Sequence, residues 1–109
     1  MLLPLSVFVA AQLTAAPAPQ LNAMQQGALT CSAAMALDAA RGDSDAQEAA
    51  RGREFFVRTL AQIMDETGAD RGVIAALVAA EARRLTAEPD VHARLKPVCR
   101  TMLDTSGIR

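Results

Sequence analysis

Two cysteines, Cys31 and Cys99, stand 68 positions apart in this chain of 109 residues. A covalent link between them would join an early segment to a late one, and would therefore decide which parts of the fold are neighbours. Cysteines form stable disulfides in oxidising compartments and stay reduced in the cytosol. The pairing therefore depends on where the protein resides, and the start of the chain bears on that question.

The first twenty residues, MLLPLSVFVAAQLTAAPAPQ, contain no charged side chain. An apolar run from Leu2 to Leu13 is followed by small residues and prolines, which is the order found in secretory signal peptides. The run is shorter than the roughly 20 apolar residues that a membrane span requires. No Lys or Arg precedes it, so either the α-amino group supplies the positive charge or translation starts upstream.

We therefore expect residues 1–18 to be a signal peptide, cleaved between positions 11 and 20, and residues 19–109 to form one domain. The protein would be periplasmic or secreted, with no membrane span after cleavage. The alternative is an apolar first helix of a cytosolic protein. Pro4, Pro17 and Pro19 argue against it, because proline breaks helix interiors.

Export makes a disulfide between Cys31 and Cys99 the favoured interpretation, since an even number of cysteines in a short exported chain is typical of a disulfide framework. Two alternatives stay open. The cysteines could be buried free thiols, chiefly if export is wrong, or metal ligands. A metal site would need further ligands, and His92 is the one histidine in the sequence.

Composition favours helices over strands. The chain is 51% hydrophobic, yet it has three Phe residues and no Trp or Tyr. Alanine, the best helix former, supplies much of the apolar content. The sequence predicts four helices, with Asn22 and Gln25 forming a capping box, Ser44 or Asp45 capping the second helix, and Asp70 capping the third. The first helix is predicted at about 22–41 and the third at about 71–86. The second follows its cap and extends to about Thr67, with a late start or a bend at Gly52. The fourth begins near Asp90 and carries its apolar residues as far as Leu103, with a kink or restart at Pro97.

Each predicted helix has one apolar face, defined by spacings of three and four residues. These faces comprise Leu21, Met24, Ala28, Cys31 and Met35; Phe56, Val57, Leu60, Ile63 and Met64; Ile74, Leu77, Val78 and Leu85; and Val91, Leu95, Val98, Met102 and Leu103. Short connections favour antiparallel neighbours, so the fourth helix should lie beside the first. We expect a small, antiparallel, all-α bundle of about four helices, tied by the Cys31–Cys99 bridge.

Few side chains stand out as candidates for chemistry. His92 follows a helix start and is expected at the solvated surface. Glu81 interrupts the apolar face of the third helix. A hairpin about Ala69 would place it level with Val57 and within reach of Arg53 or Arg58. A cross-helix ion pair, or an edge position that reaches water, is favoured over a general acid–base role, because no second catalytic group converges there. Methionines could suggest copper, but each lies on an apolar face, where Met commonly fills the core.

The motifs CSAA and CRTMLD and the run RGREFFVRTLAQIMDETG are similar to those of small, uncharacterised, exported helical proteins of alphaproteobacteria. The resemblance covers most of the mature chain and implies export but no particular activity. In size, export and a single bridge, the chain also resembles periplasmic acid-stress chaperones more faintly, although its cysteine separation differs and no residue can be matched.

The sequence therefore predicts an exported, non-enzymatic binding, structural or stress-related module with no cofactor and no metal. It leaves open a protein partner and the oligomeric state. Nucleic-acid binding is not expected, because eleven basic residues are spread among twelve acidic ones without a basic block. One alternative is a carrier of a small apolar ligand in the bundle core. The other is an enzyme.

Overall fold

The computed structural model describes residues 19–109, and over this range the chain forms four α-helices and no strand. Helix α1 spans Ala23–Ala40, α2 spans Ala46–Thr67, α3 spans Arg71–Ala87 and α4 spans Pro89–Thr105. Helices contain 81% of the described residues, which confirms the all-α prediction. The predicted signal peptide lies outside the described residues. Within them, no helix is both long enough and apolar enough to cross a membrane.

The helix ends follow the capping signals of the sequence. The backbone N–H of Gln25 donates to Asn22 Oδ1 at 2.8 Å, and the backbone N–H of Asn22 donates to Gln25 Oε1 at 2.9 Å. Asp45 and Asp70 accept hydrogen bonds from the third backbone N–H beyond them, at 2.7 and 2.9 Å. α2 ends at Gly68, whose φ of 73° is in the left-handed region that glycine adopts without strain.

Helix α1 is the central element of the bundle. The six consecutive residues from Leu29 to Ala34 are all buried. Successive residues of a helix point about 100° apart, so six of them cover the whole circumference. α1 accordingly packs against α2, α3 and α4. Small side chains such as Ala33 and Ala34 let the surrounding helices approach closely.

The disulfide joins the central helix to α4. Cys31 and Cys99 are bonded, with their Cα atoms 5.2 Å apart, and their exposed fractions are 1% and 4%. Around the bridge lies a core cluster whose other buried members are Ala33, Ala34, Phe55, Leu85, Leu103 and Ile108. A second cluster consists of Leu29, Leu60, Ile63 and Ile74. The predicted bridge and the neighbouring positions of the first and last helices are confirmed.

Helix α2 buries most of its predicted face, since Leu60 and Ile63 are buried and Phe56 and Met64 pack against their cluster, but the buried face is shifted near Phe55. Phe55 is buried, Phe56 is only partly buried, and Val57 is 65% exposed. The reason is Gly52, which lies one turn before Phe55 and faces α1. A Cβ placed on Gly52 would lie 3.3 Å from Met35 Cβ, so the glycine permits close approach of the two helices. α2 runs through Gly52 rather than starting after it.

Three further expectations are corrected. Met24 is 80% exposed and Val98 is 55% exposed, although both lie on predicted apolar faces. α4 is one continuous helix through Pro97, so of the predicted kink or restart the restart does not occur. The proline costs the helix one backbone N–H, the one that would donate to the carbonyl of Ala93. His92 is buried rather than solvated, for reasons that follow from the position of the disulfide.

Candidate functional site

Glu81 faces the central helix and not α2. Its Oε1 accepts hydrogen bonds from Thr30 Oγ1 at 3.0 Å and from Arg84 Nε at 3.2 Å. The predicted pairing with Arg53 or Arg58 is wrong, because Val57, which was expected level with Glu81, faces solvent; Arg58 pairs instead with Glu54 on its own helix. Glu81 is therefore an anchor between α1 and α3.

The partners of Glu81 favour its charged form. The hydrogen bond from Arg84, first, and then that from Thr30 lower the pKa of Glu81 below its ordinary value of 4.5, while partial burial opposes them. The folded state therefore releases the Glu81 proton more readily than the unfolded state does. The stability that follows is fully present above pH 4.5 and is lost as the pH falls through the lowered pKa.

Replacing Glu81 with Gln should reduce the loss of stability that acid causes. The amide can keep the contact with Thr30 but carries no charge, so the free energy of unfolding of E81Q should fall less than that of the wild type between pH 6 and pH 3. Urea unfolding at several pH values measures the difference. Glu54→Gln, which removes an exposed carboxylate, should leave the pH profile nearly unchanged. Identical profiles for E81Q and the wild type would contradict this role of Glu81.

A cleft lies between the second half of α1, the start of α2 and the outer side of α4, and its volume is about 250 Å³. We call it the His92 cleft. Its apolar wall is formed by Ala34, Met35, Ala49, Pro97 and Leu103, and the disulfide residue Cys99 also lines it. Its polar lining residues are Asp38, Ser44, Glu48, His92, Lys96 and Arg100.

The antiparallel register set by the disulfide brings Asp38 and His92 together. Asp38 lies seven residues after Cys31, and His92 lies seven residues before Cys99. Seven residues are about two helical turns, or about 10 Å of rise, so both side chains return to the face that carries the bridge. His92 Nε2 lies 3.0 Å from Asp38 Oδ1, and the exposed fractions of the two side chains are 10% and 15%.

Arg41 contacts the other ring nitrogen of His92. Its Nη1 lies 3.5 Å from His92 Nδ1, and its Nη2 donates to Thr86 Oγ1 at 3.3 Å. A guanidinium has donors and no acceptor, so Nδ1 accepts and the neutral ring carries its proton on Nε2. Arg41 thereby links the end of α1 to α3 and α4 and fixes the orientation of the imidazole.

Two buried polar atoms of the cleft have no hydrogen-bond partner among residues 19–109, namely His92 Nε2 and Ser44 Oγ. Nε2 nevertheless lies 3.0 Å from Asp38 Oδ1, so the imidazole and the carboxylate are paired at this end of the cleft. Ser44 has no capping role, because Asp45 caps α2. Both atoms are buried, so the cleft presents other atoms of these side chains to a bound molecule.

Ser44, His92 and Asp38 are the residue types of a hydrolytic triad, but they are not arranged as one. A triad needs one imidazole nitrogen on the carboxylate and the other on the hydroxyl. Here Nε2 faces Asp38 and Nδ1 faces Arg41, so neither nitrogen is bonded to Ser44. Across residues 19–109, no three His, Cys, Asp or Glu side chains are grouped closely enough to hold a metal ion. The arrangement favours binding over proton transfer to a serine.

A larger groove of about 580 Å³ runs along the start of α1 and the second half of α2. It is more open than the His92 cleft, and its polar side chains contact each other, as when Gln25 Nε2 donates to Glu66 Oε1 at 3.3 Å. The His92 cleft is smaller and less open, and it combines an apolar wall with the paired side chains of Asp38 and His92. The groove has the larger volume, but the lining of the His92 cleft makes the cleft the better candidate for a binding site.

The cleft was not predicted from the sequence, because His92 was expected at the surface and Asp38 carries no local signal. The signal was the equal spacing of seven residues on either side of the two cysteines. Comparison with known proteins does not add to this assignment, since no protein-family model, curated protein or solved structure matches the chain.

Proposed function

We propose that this chain is an exported, non-catalytic binding protein that holds a small molecule in the His92 cleft. The observation that carries the proposal is the cleft itself, in which an apolar wall adjoins a small number of polar side chains, among them Asp38, His92 and Lys96. Small-molecule sites commonly combine a mostly apolar lining with a few placed polar groups. The arrangement favours the carrier alternative over a module that binds a partner protein through an exposed apolar patch.

Three features support export. The chain begins with an uncharged apolar run followed by small residues and prolines. The disulfide is of the kind that oxidising compartments maintain. The similarity of CSAA and CRTMLD to exported helical proteins of alphaproteobacteria agrees with both. A periplasmic or secreted carrier would meet its ligand outside the cytosol, and the bridge would hold α1 and α4 together on either side of the cleft.

The cleft should bind a small apolar probe, and filling the cleft should abolish that binding. We expect toluene to shift the methyl NMR signals of Ala34, Met35 and Leu103 in the oxidised protein in a saturable way. Ala49 lines the cleft from α2, so Ala49→Leu should place three extra carbons inside it and weaken toluene binding at least about tenfold, the effect of losing about 1.4 kcal/mol.

Ala50→Leu is the matched control, because Ala50 is the next residue of the same helix and is exposed. It adds the same side chain outside the cleft and should leave the toluene titration unchanged. Chemical shifts of the free proteins show whether each variant keeps the native fold. Equal toluene affinities of A49L and the wild type, or no saturable shift in the wild type, would refute the cleft as a binding site.

A further inference from the structure

From the charges that line the His92 cleft we infer the class of ligand, a small carboxylic acid with an apolar body, bound as its anion with the carboxylate against Lys96. This inference rests on the proposed binding function and adds the charge of the ligand. Its starting point is that Lys96 lines the cleft, is exposed, and takes part in none of the ion pairs among residues 19–109.

Three basic side chains follow one another along the side of α4 that lines the cleft. His92, Lys96 and Arg100 are spaced by four residues, so they lie on one face of the helix about one turn apart. The carboxylates of the lining come from the other two helices, Asp38 from α1 and Glu48 from α2. The lining therefore holds three basic side chains but two carboxylates.

The two carboxylates are paired at the two ends of this row. Asp38 Oδ1 lies 3.0 Å from His92 Nε2. Glu48 accepts a hydrogen bond from Arg100 Nη2 and forms an ion pair with it. Lys96 stands between these pairs, and no carboxylate of residues 19–109 lies within ion-pair distance of it. A ligand carboxylate beside Lys96 supplies that partner, whereas a ligand ammonium in the same place is repelled.

The exposure of Lys96 places the charged contact at the mouth of the cleft. Lysine side chains commonly lie along apolar surface and keep the ammonium group in water. A carboxylate at the mouth keeps part of its own hydration, so binding does not require the burial of a bare charge.

The interior of the cleft suits an apolar body of modest size. Ala34, Met35 and Leu103 line it, and its volume is about 250 Å³. A dry cavity of about 150 Å³ lined by aliphatic and aromatic side chains is known to hold benzene. One aromatic ring with one carboxylate therefore fits, with the ring against the apolar wall and the carboxylate at Lys96.

Benzoate and nitrobenzene test the charge at neutral pH. A carboxylate and a nitro group have the same number of electrons and nearly the same shape, but they differ by one negative charge. Lys96→Met keeps the length of the side chain and removes its charge. We expect the ratio of the benzoate affinity to the nitrobenzene affinity to fall about threefold in K96M, the effect of losing an exposed ion pair. Methyl NMR titration of the oxidised full chain gives both dissociation constants.

Two control variants separate a contact with Lys96 from a general effect of charge. Lys96→Arg keeps the positive charge and should keep the ratio. Arg94→Met removes a cation from an exposed position of the same helix that does not line the cleft, and should also keep it. Benzylammonium, which carries the opposite charge, should bind more tightly to K96M than to the wild type. Lys96 is the single lysine of the sequence, so its methylene signals are identified without ambiguity and should shift when benzoate binds.

The outcomes distinguish this inference from the proposed function. An unchanged ratio in K96M, an equal fall in R94M, or Lys96 signals that do not move at saturating benzoate in the wild type would each overturn the carboxylate inference. The last of these needs no variant. If toluene still bound in a manner sensitive to Ala49→Leu, the proposed function would survive. If toluene, nitrobenzene and benzoate all failed to bind the wild type, both would fail.

Discussion

Loss of the Cys31–Cys99 disulfide should lower the free energy of unfolding by about 4 kcal/mol, the value that the chain-entropy model gives for a closed loop of this length. Small domains have total stabilities of about 5–15 kcal/mol, so the bridge is a large part of the total. Its exposed fractions of 1% and 4% also protect it, and reductant should reach it mainly through unfolded molecules.

The measurement compares urea unfolding of the oxidised protein, the protein in reductant, and the double variant Cys31→Ala with Cys99→Ala. Alanine is preferable to serine, because a buried hydroxyl would add a cost of its own. The reduced protein and the double variant should both unfold at lower urea concentration, and reductant should have no effect on the variant. Equal midpoints for the oxidised and reduced proteins would show that the bridge contributes nothing to stability.

Thiol titration and N-terminal sequencing of the native protein test the proposed export. Material isolated from the periplasm should contain no free thiol when titrated under denaturing, non-reducing conditions, and its N-terminal sequence should begin between Gln12 and Gln20. Two free thiols per chain, or an intact Met1 on soluble cytosolic protein, would contradict the proposed location.

Phe55→Ala should destabilise the protein by about 3–5 kcal/mol, the range for a buried Phe, whereas Val57→Ala should change the stability by less than about 0.5 kcal/mol. Phe55 is 5% exposed and belongs to the cluster around the disulfide; Val57, two residues later, is 65% exposed. Urea unfolding of the two variants reports directly which face of α2 is buried. Phe55→Leu, which removes less volume, keeps the comparison measurable where F55A is too unstable. A larger loss in V57A than in F55A would mean that α2 presents the face expected from its sequence.

The helices and their ends could be predicted from the sequence because their signals are local. Asn22 with Gln25, Asp45, Asp70 and Gly68 act on backbone groups within four residues of themselves, so the residues that decide each boundary are adjacent in the chain. The all-α class follows from the abundance of alanine and the scarcity of aromatic residues. The pairing of Cys31 with Cys99 was predicted because the sequence has two cysteines and a start that resembles a signal peptide.

Which faces are buried was decided by tertiary packing. The middle of α1, from Leu29 to Ala34, is buried all round because three helices pack on it, whereas the spacing of apolar residues predicted a single buried face. The shift in the buried face of α2 depends on the fit of Gly52 against Met35, which is 17 positions earlier in the chain. From the sequence alone, Gly52 is only a weak helix former, so this contact could not be predicted. The predicted partner of Glu81 was wrong for a similar reason, because the hydrogen bonds of Glu81 depend on which face of α3 packs against α1.

The position of the His92 cleft could be predicted from the sequence, but its chemistry depends on the tertiary structure. Its register was contained in the sequence, because Asp38 and His92 lie seven residues from the two bridged cysteines, and an antiparallel pair of helices brings such positions together. Its chemistry was not, because the burial of His92, the orientation of its ring by Arg41 and the unpartnered Ser44 hydroxyl depend on where α2 and α3 pack. Sequence determined the helices, since backbone capping is local, and the bridge, since two cysteines allow one intramolecular pair. Tertiary structure decided the cleft, since desolvation and hydrogen-bond partners arise only when separate helices meet.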